Sequence, residues 1–199
     1  SAPRRANGGA TAAGVGKFQP WPPILSAGVA PPGWSGILPR MHLTFGQHLL
    51  LGLYSLVLRL AFPVTLYHLI WRGMRQREYL QRWPERYAWL DGKLDLHDTI
   101  WVHAVSVGEV IAAAPLVDAL MAAHPDRPLL VTTITPTGSE RVRALWGDRV
   151  HHVYLPYDLR SMVRRFLDRA RPAIAVIVET EIWLNLYVEC GRRGIPLVM

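Results

Sequence analysis

Ile100-Trp-Val-His-Ala-Val-Ser-Val-Gly-Glu109 decides the fold of this chain. A mostly apolar run ends in a tight turn, and an amphipathic stretch over 110–123 follows it. This is the first strand-to-helix junction of an α/β domain, where such folds place their chemistry. The alternation continues outward. Apolar, strand-like runs are expected at 99–105, 129–134, 151–155, 173–178 and 196–199, with helical patterns at 109–123, 138–146, 159–170 and 182–193. Pro125, Pro128, Pro156, Pro172 and Pro196 punctuate the junctions. Such alternation predicts a parallel sheet with right-handed crossovers, a Rossmann-like α/β domain over 99–199. The last strand stops at Met199, so the expectation is a longer protein of which this is one part.

Upstream of the domain the character changes twice. Residues 1–40 are rich in Gly, Ala and Pro and show no periodicity. Too little apolar surface is available there to offset ordering entropy, so disorder is expected. Met41 is expected to be the natural start. Residues 49–71 (LLLGLYSLVLRLAFPVTLYHLIW) are almost wholly apolar. At about 1.5 Å per residue such a helix can cross a hydrocarbon core of about 30 Å. Arg59 near its middle costs about 2.5–3.5 kcal/mol on insertion scales, and Pro63 is expected to kink it. The segment 41–72 is therefore read as a membrane-anchor helix, either spanning the bilayer or lying in its interface. Spanning or deep insertion is expected, because apolar residues surround the helix. A signal peptide fits less well, as the run is long and no small-residue cleavage site follows.

The net charge of +7 is unevenly placed. Residues 1–77 carry eight basic side chains and no acidic one, and the remainder is close to neutral. Because the excess accompanies an apolar run, it points to anionic membrane lipids rather than nucleic acid. Arg72, at the end of the anchor, and Arg75, Arg77, Arg82 and Arg86, in a basic juxtamembrane segment over 73–98, are expected to stay on the cytoplasmic side. Trp71, Trp83, Tyr87 and Trp89 suit either the interface or packing against the domain. The lone Cys190 excludes an internal disulfide and reads as a small buried side chain.

Glu109 leads the candidates for chemistry. Ser106-Val-Gly-Glu109 has the spacing of a capping box, in which serine and glutamate satisfy the first amides of a helix. The same carboxylate, projecting above the strand ends, suits a base, with Gly108 keeping the backbone clear for a ligand. Thr132-Thr-Ile-Thr-Pro-Thr-Gly-Ser139 makes the second such turn. The hydroxyls and helix-start amides of this turn suit the binding of an anion or sugar hydroxyls, while Thr137 or Ser139 also reads as an ordinary N-cap. Glu179 and Glu181 close the fourth strand, ahead of Trp183 as a stacking surface. Glu179 is the stronger candidate, since Glu181 also reads as a first-turn glutamate. Asn185 suits either ligand binding or helix decoration. His103 reads as a packed core histidine, and His151-His152 has no neighbouring ligands, so no metal site is expected. Neither GxGxxG nor GxxxxGK[ST] occurs, which disfavours a nucleotide-dependent oxidoreductase and a Walker-type phosphate loop.

Trp101-Val-His-Ala-Val-Ser-Val-Gly-Glu109, Thr135-Pro-Thr-Gly-Ser139, Tyr154-Leu-Pro-Tyr-Asp158 and Glu179-Thr-Glu-Ile-Trp-Leu-Asn-Leu186 together resemble the amino-terminal half of the 3-deoxy-D-manno-octulosonic acid (Kdo) transferases. The resemblance covers 41–199, and Leu184 departs from it where the family usually has proline. It implies a GT-B glycosyltransferase of lipopolysaccharide core biosynthesis with two Rossmann-like domains, the amino-terminal one binding the acceptor. Kdo would pass from CMP-Kdo to the lipid A precursor at the cytoplasmic face of the inner membrane, with inversion by direct displacement. The family's general base falls on Glu109 and its second acidic site residue on Glu179. The expected acceptor-binding set is Ser106, Gly108, Thr135, Thr137, Ser139 and Glu179. No cofactor is implied beyond the donor CMP-Kdo, whose domain would follow Met199. Residues 1–40 have no counterpart. The competing reading is a membrane-tethered module that binds anionic lipid without catalysis.

Overall fold

The computed structural model describes residues 43–75, 82–90, 92–179 and 181–199. The expectations for 1–40, for Met41 and for Arg77 lie outside these residues. Five parallel strands form one sheet: β1 (Thr99–His103), β2 (Leu129–Thr133), β3 (His151–Tyr154), β4 (Pro172–Ile177) and β5 (Leu197–Val198), in the order β3-β2-β1-β4-β5. The helices that follow the first four are α3 (Val107–Ala123), α4 (Pro136–Trp146), α5 (Arg160–Ala170) and α6 (Leu184–Arg193). The expected α/β alternation is what the chain adopts, with boundaries shifted by at most two residues at strand and helix starts.

β1 and β2 are buried along their whole length, as parallel strands covered on both faces must be. Their alternate side chains divide into two cores. Trp101 and Leu130 pack with Phe166 and Leu167 of α5 and with Leu186 and Cys190 of α6. Ile100, Val102 and Val131 pack on the other side with Val110 and Val117 of α3 and Val142 of α4. Trp101 is fully buried, and its indole N–H donates to Thr132 Oγ1 at 2.9 Å, so its polar atom is satisfied in the core. Cys190 is buried as expected, and burial pushes its thiol up to about 12, which leaves no thiolate at neutral pH.

Helix α1 (Phe45–Arg75) runs continuously through Pro63 and is long and apolar enough to cross a membrane by length and composition. It also docks on the domain. Tyr54 Oη donates to Asp158 Oδ2 at 2.8 Å, Ser55 Oγ donates to Asn185 Oδ1 at 3.1 Å, and Phe62 meets the edges of Tyr87 and Tyr157. Asp158 is the hub of this junction. Its two oxygens accept the Asn185 and Leu186 amides at 3.0 and 2.9 Å, which are early donors of α6 that no capping side chain of that helix serves.

A short helix α2 (Trp83–Arg86), absent from the sequence reading, precedes the domain. Glu85 is buried, accepts from Arg82 Nε (2.7 Å), Lys93 Nζ (3.0 Å) and the Tyr154 amide (3.0 Å), and ties α2 to β3. Arg82 also donates to Ser139 Oγ and to the His152 carbonyl. Arg86 is buried, donates to the Ile134 carbonyl and lies over the Tyr154 ring. These two arginines of the basic segment therefore hold the fold together instead of facing lipid; buried guanidinium groups need fixed acceptors, and the domain supplies them.

Candidate active site

The strand order reverses between β1 and β4, and the carboxyl ends of strands at such a reversal are the usual ligand position in open α/β sheets. The turn after β1 carries Glu109, and the turn after β4 carries Glu179 and Glu181. The two acidic turns picked out from sequence thus flank the switch point.

Glu109 is the third residue of α3, and the capping box is formed. Ser106 Oγ receives the Glu109 amide at 3.5 Å. Glu109 Oε1 accepts the Ser106 amide (3.2 Å) and hydroxyl (2.8 Å), and Oε2 accepts the Val105 amide at 2.7 Å. The side chain is half-buried, so it is not walled off. A carboxylate has about four acceptor positions; Oε2 uses one here and keeps a lone pair for a further donor. Gly108 is exposed, and a Cβ built there would meet only Ser106 Oγ, at 3.9 Å. The fold itself does not require glycine at that position. Gly138 differs, because a Cβ there would come within 2.9 Å of Thr135 Oγ1 and 3.3 Å of Thr133.

In the turn after β2, Thr135 caps α4 by accepting the Gly138 amide at 3.1 Å. Thr137 is exposed beside it, its hydroxyl 3.4 Å from Thr135 Oγ1. Ser139 is buried below, its hydroxyl held by Arg82 at 2.9 Å. Glu179 is exposed at the end of β4. Asn185 is buried, and its amide group donates to the Asp158 carbonyl, which makes it part of the junction with α1.

Sequence reasoning did not anticipate how His103, Thr132, Glu181 and Trp183 meet. His103 is buried, with Nδ1 2.8 Å from Thr132 Oγ1 and 3.1 Å from the Thr132 carbonyl. Its Nε2 faces Glu181 Oε2 at 3.8 Å, close enough for charge but too far for a hydrogen bond. Glu181 accepts the Trp183 indole N–H at 2.7 Å, and Trp183 sits edge-on to His103. Contact with His103, then the Trp183 bond, holds the Glu181 carboxyl below its ordinary range. No spacing in the sequence signals this group, since His103 and Glu181 meet only through β1–β4 pairing. Among the described residues no cluster of three His, Cys, Asp or Glu side chains has metal-binding geometry. A cavity of about 420 Å³ lined by Trp89, Arg165 and Arg169 lies toward the amino ends of the strands, away from both acidic turns.

Residues 81–199 match the family model described as 3-deoxy-D-manno-octulosonic-acid transferase (kdotransferase). The chain belongs to the Kdo transferase family. It is 40% identical over 147 residues to the 3-deoxy-D-manno-octulosonic acid transferase of Haemophilus influenzae, covering 73% of this chain and 34% of that protein. It is 34% identical over 159 residues to the Bordetella pertussis protein of that name, covering 74% and 36%. A probable mitochondrial 3-deoxy-D-manno-octulosonic acid transferase of Arabidopsis thaliana is 33% identical over 135 residues, covering 68% and 30%. The chain thus spans about a third of the length of these Kdo transferases. The matched region takes in both acidic turns, the α4 cap and, of the junction with α1, the domain side with Asp158 and Asn185.

Proposed function

We propose that this chain is the acceptor-binding part of a two-domain GT-B enzyme that transfers Kdo from CMP-Kdo to the lipid A precursor at the cytoplasmic face of the inner membrane. The observation that carries the reading is the half-exposed Glu109 carboxylate at the switch-point edge, with a lone pair to spare and an unobstructed glycine before it. An acceptor hydroxyl is a poor nucleophile until its proton is taken. Glu109 accepts that proton as the hydroxyl oxygen attacks the anomeric carbon of Kdo. The new carbon–oxygen bond forms as the bond to CMP breaks, CMP leaves with the electron pair, and the configuration inverts. Positioned proton transfer of this kind is worth about 10²–10⁴-fold.

Glu179, Thr135 and Thr137 line the same edge and bind acceptor hydroxyls or phosphate, with Ser106 orienting the base and Ser139 supporting the turn from beneath. The donor occupies a second domain beyond Met199, and neither metal nor further cofactor is invoked. The test is full-length protein given CMP-Kdo and lipid A precursor, with the anomeric configuration of the product read by NMR. Inverted product is expected; a retained configuration overturns direct displacement. The apolar α1 and the acid-free first 77 residues also fit a lipid-binding module without chemistry. Lipid binding with no product in that assay would establish the module instead.

A further inference from the structure

Helix α1 meets the domain along one face. Leu51, Leu58 and Leu69 are at least half-buried, and with Tyr54 and Phe62 they recur at the three-to-four-residue spacing of one helical stripe. Leu49, Leu53, Leu56, Leu60, Val64 and Tyr67 are exposed on the other side. The docked stripe lands on the segments after β3 and β4: Tyr157, Asp158, Ile182 and Asn185. These lie at the carboxyl edge of the sheet, the edge that carries Glu109.

This geometry is incompatible with a helix crossing the bilayer. Tyr54 to Phe62 bracket the middle of α1, so a spanning placement would carry Asp158, Asn185 and the surrounding domain to the depth of the hydrocarbon. Each charged group there costs about 2.5–3.5 kcal/mol, and a folded α/β domain brings many. A helix lying in the interface pays no such cost. Its docked stripe stays on protein, its exposed leucines enter the acyl boundary by about 5–10 Å, and its flanks sit among head groups. Arg59 is one residue, about 100°, round the helix from the docked Leu58, so its guanidinium reaches head groups from the flank. Arg59, Arg72 and Arg75 lie along α1, which carries no acidic residue, so the helix has the charge that an anionic leaflet attracts.

We infer that α1 lies in the plane of a single leaflet, strapped to the domain by the Tyr54–Asp158 bond, so that the loop bearing Ile182 rests on the lipid surface beside the acceptor edge. Ile182 is 75% exposed, and its carbonyl receives the Tyr54 hydroxyl at 3.3 Å, which places an apolar side chain at the level of the strap. The inference rests on the reading of α1 as a membrane helix and not on the chemistry assigned to Glu109.

Nitroxide labels at single cysteines replacing Leu49, Leu53, Leu60, Val64 and Tyr67 in the full-length protein, bound to vesicles of phosphatidylethanolamine and phosphatidylglycerol, test it. These positions are exposed, so labelling leaves the docked face intact. Depth from oxygen and nickel-chelate relaxation is expected to be the same shallow value at all five. A depth that changes steadily along the roughly 27 Å from Leu49 to Tyr67 overturns the in-plane placement alone. Absence of lipid contact at every label overturns it together with the membrane reading of α1, whether the face then covers a second copy or another protein.

Discussion

Gly108 and Glu109 are neighbours whose requirements separate. The fold uses Glu109 as a cap, and S-x-x-E spacing makes that role readable in sequence. Gly108 has open space where a Cβ would go, so packing does not require its lack of a side chain. Gly108→Ala is expected to leave stability unchanged or raise it by up to about 1 kcal/mol, since alanine is the better helix former. The same change should raise KM for the lipid acceptor about tenfold, a cost of about 1.4 kcal/mol. Thermal melting and steady-state kinetics on one preparation check both halves; an unchanged KM would remove Gly108 from the acceptor site. Polar groups that meet across the fold were not legible. Ser139 looked like an open hydroxyl, but its partner Arg82 lies 57 residues earlier in the chain. His103 read as a core residue and is one, yet its approach to Glu181 depends on strand pairing that spacing cannot reveal.

Helix boundaries were largely set by local chemistry. Ser106 caps α3, as its S-x-x-E spacing suggests, whereas α4 is capped by Thr135 and not by Thr137 or Ser139, so its start was read two residues late. α6 has no such side chain and is served from Asp158, 27 residues away, so its start was read two residues early. Burial pushes the Asp158 carboxyl up to about 6, against the opposing pull of the Tyr54 hydroxyl and the Asn185 and Leu186 amides. A carboxyl raised on folding adds stability that is complete below its unfolded value, near 3.8, and is lost as pH rises through about 6. Asp158→Asn cannot titrate and replaces one acceptor with a donor facing an amide. The wild type should therefore exceed this variant in stability more at pH 4.5 than at pH 7.5, and the gap should narrow by about 2 kcal/mol between the two. Denaturant unfolding at both pH values measures it. A gap that is flat or widens with pH would contradict the burial argument. For α1, composition gave length and apolarity but not the docked stripe, because its partners are more than 100 residues downstream.

At the scale of the whole molecule, alternation of strand and helix fixed an α/β sheet in advance, while the order β3-β2-β1-β4-β5 emerged only with the structure. That order matters most, since it brings the turn bearing Glu109 and the turn bearing Glu179 and Glu181 to the carboxyl ends of adjacent strands. It also sets the docked α1 along that edge, so the apolar helix and Glu109 share one side of the domain. The account stands or falls on proton removal by Glu109. Glu109→Gln in the full-length protein isolates it: the glutamine oxygen still completes the capping box, and loss of the Val105 bond is expected to cost about 1 kcal/mol, which leaves the variant folded. Transfer of Kdo from CMP-Kdo to the lipid A precursor by that variant is expected to fall about 10²–10⁴-fold. Turnover within a few-fold of the wild type, in a variant shown by melting to be folded at the assay temperature, would contradict the assignment.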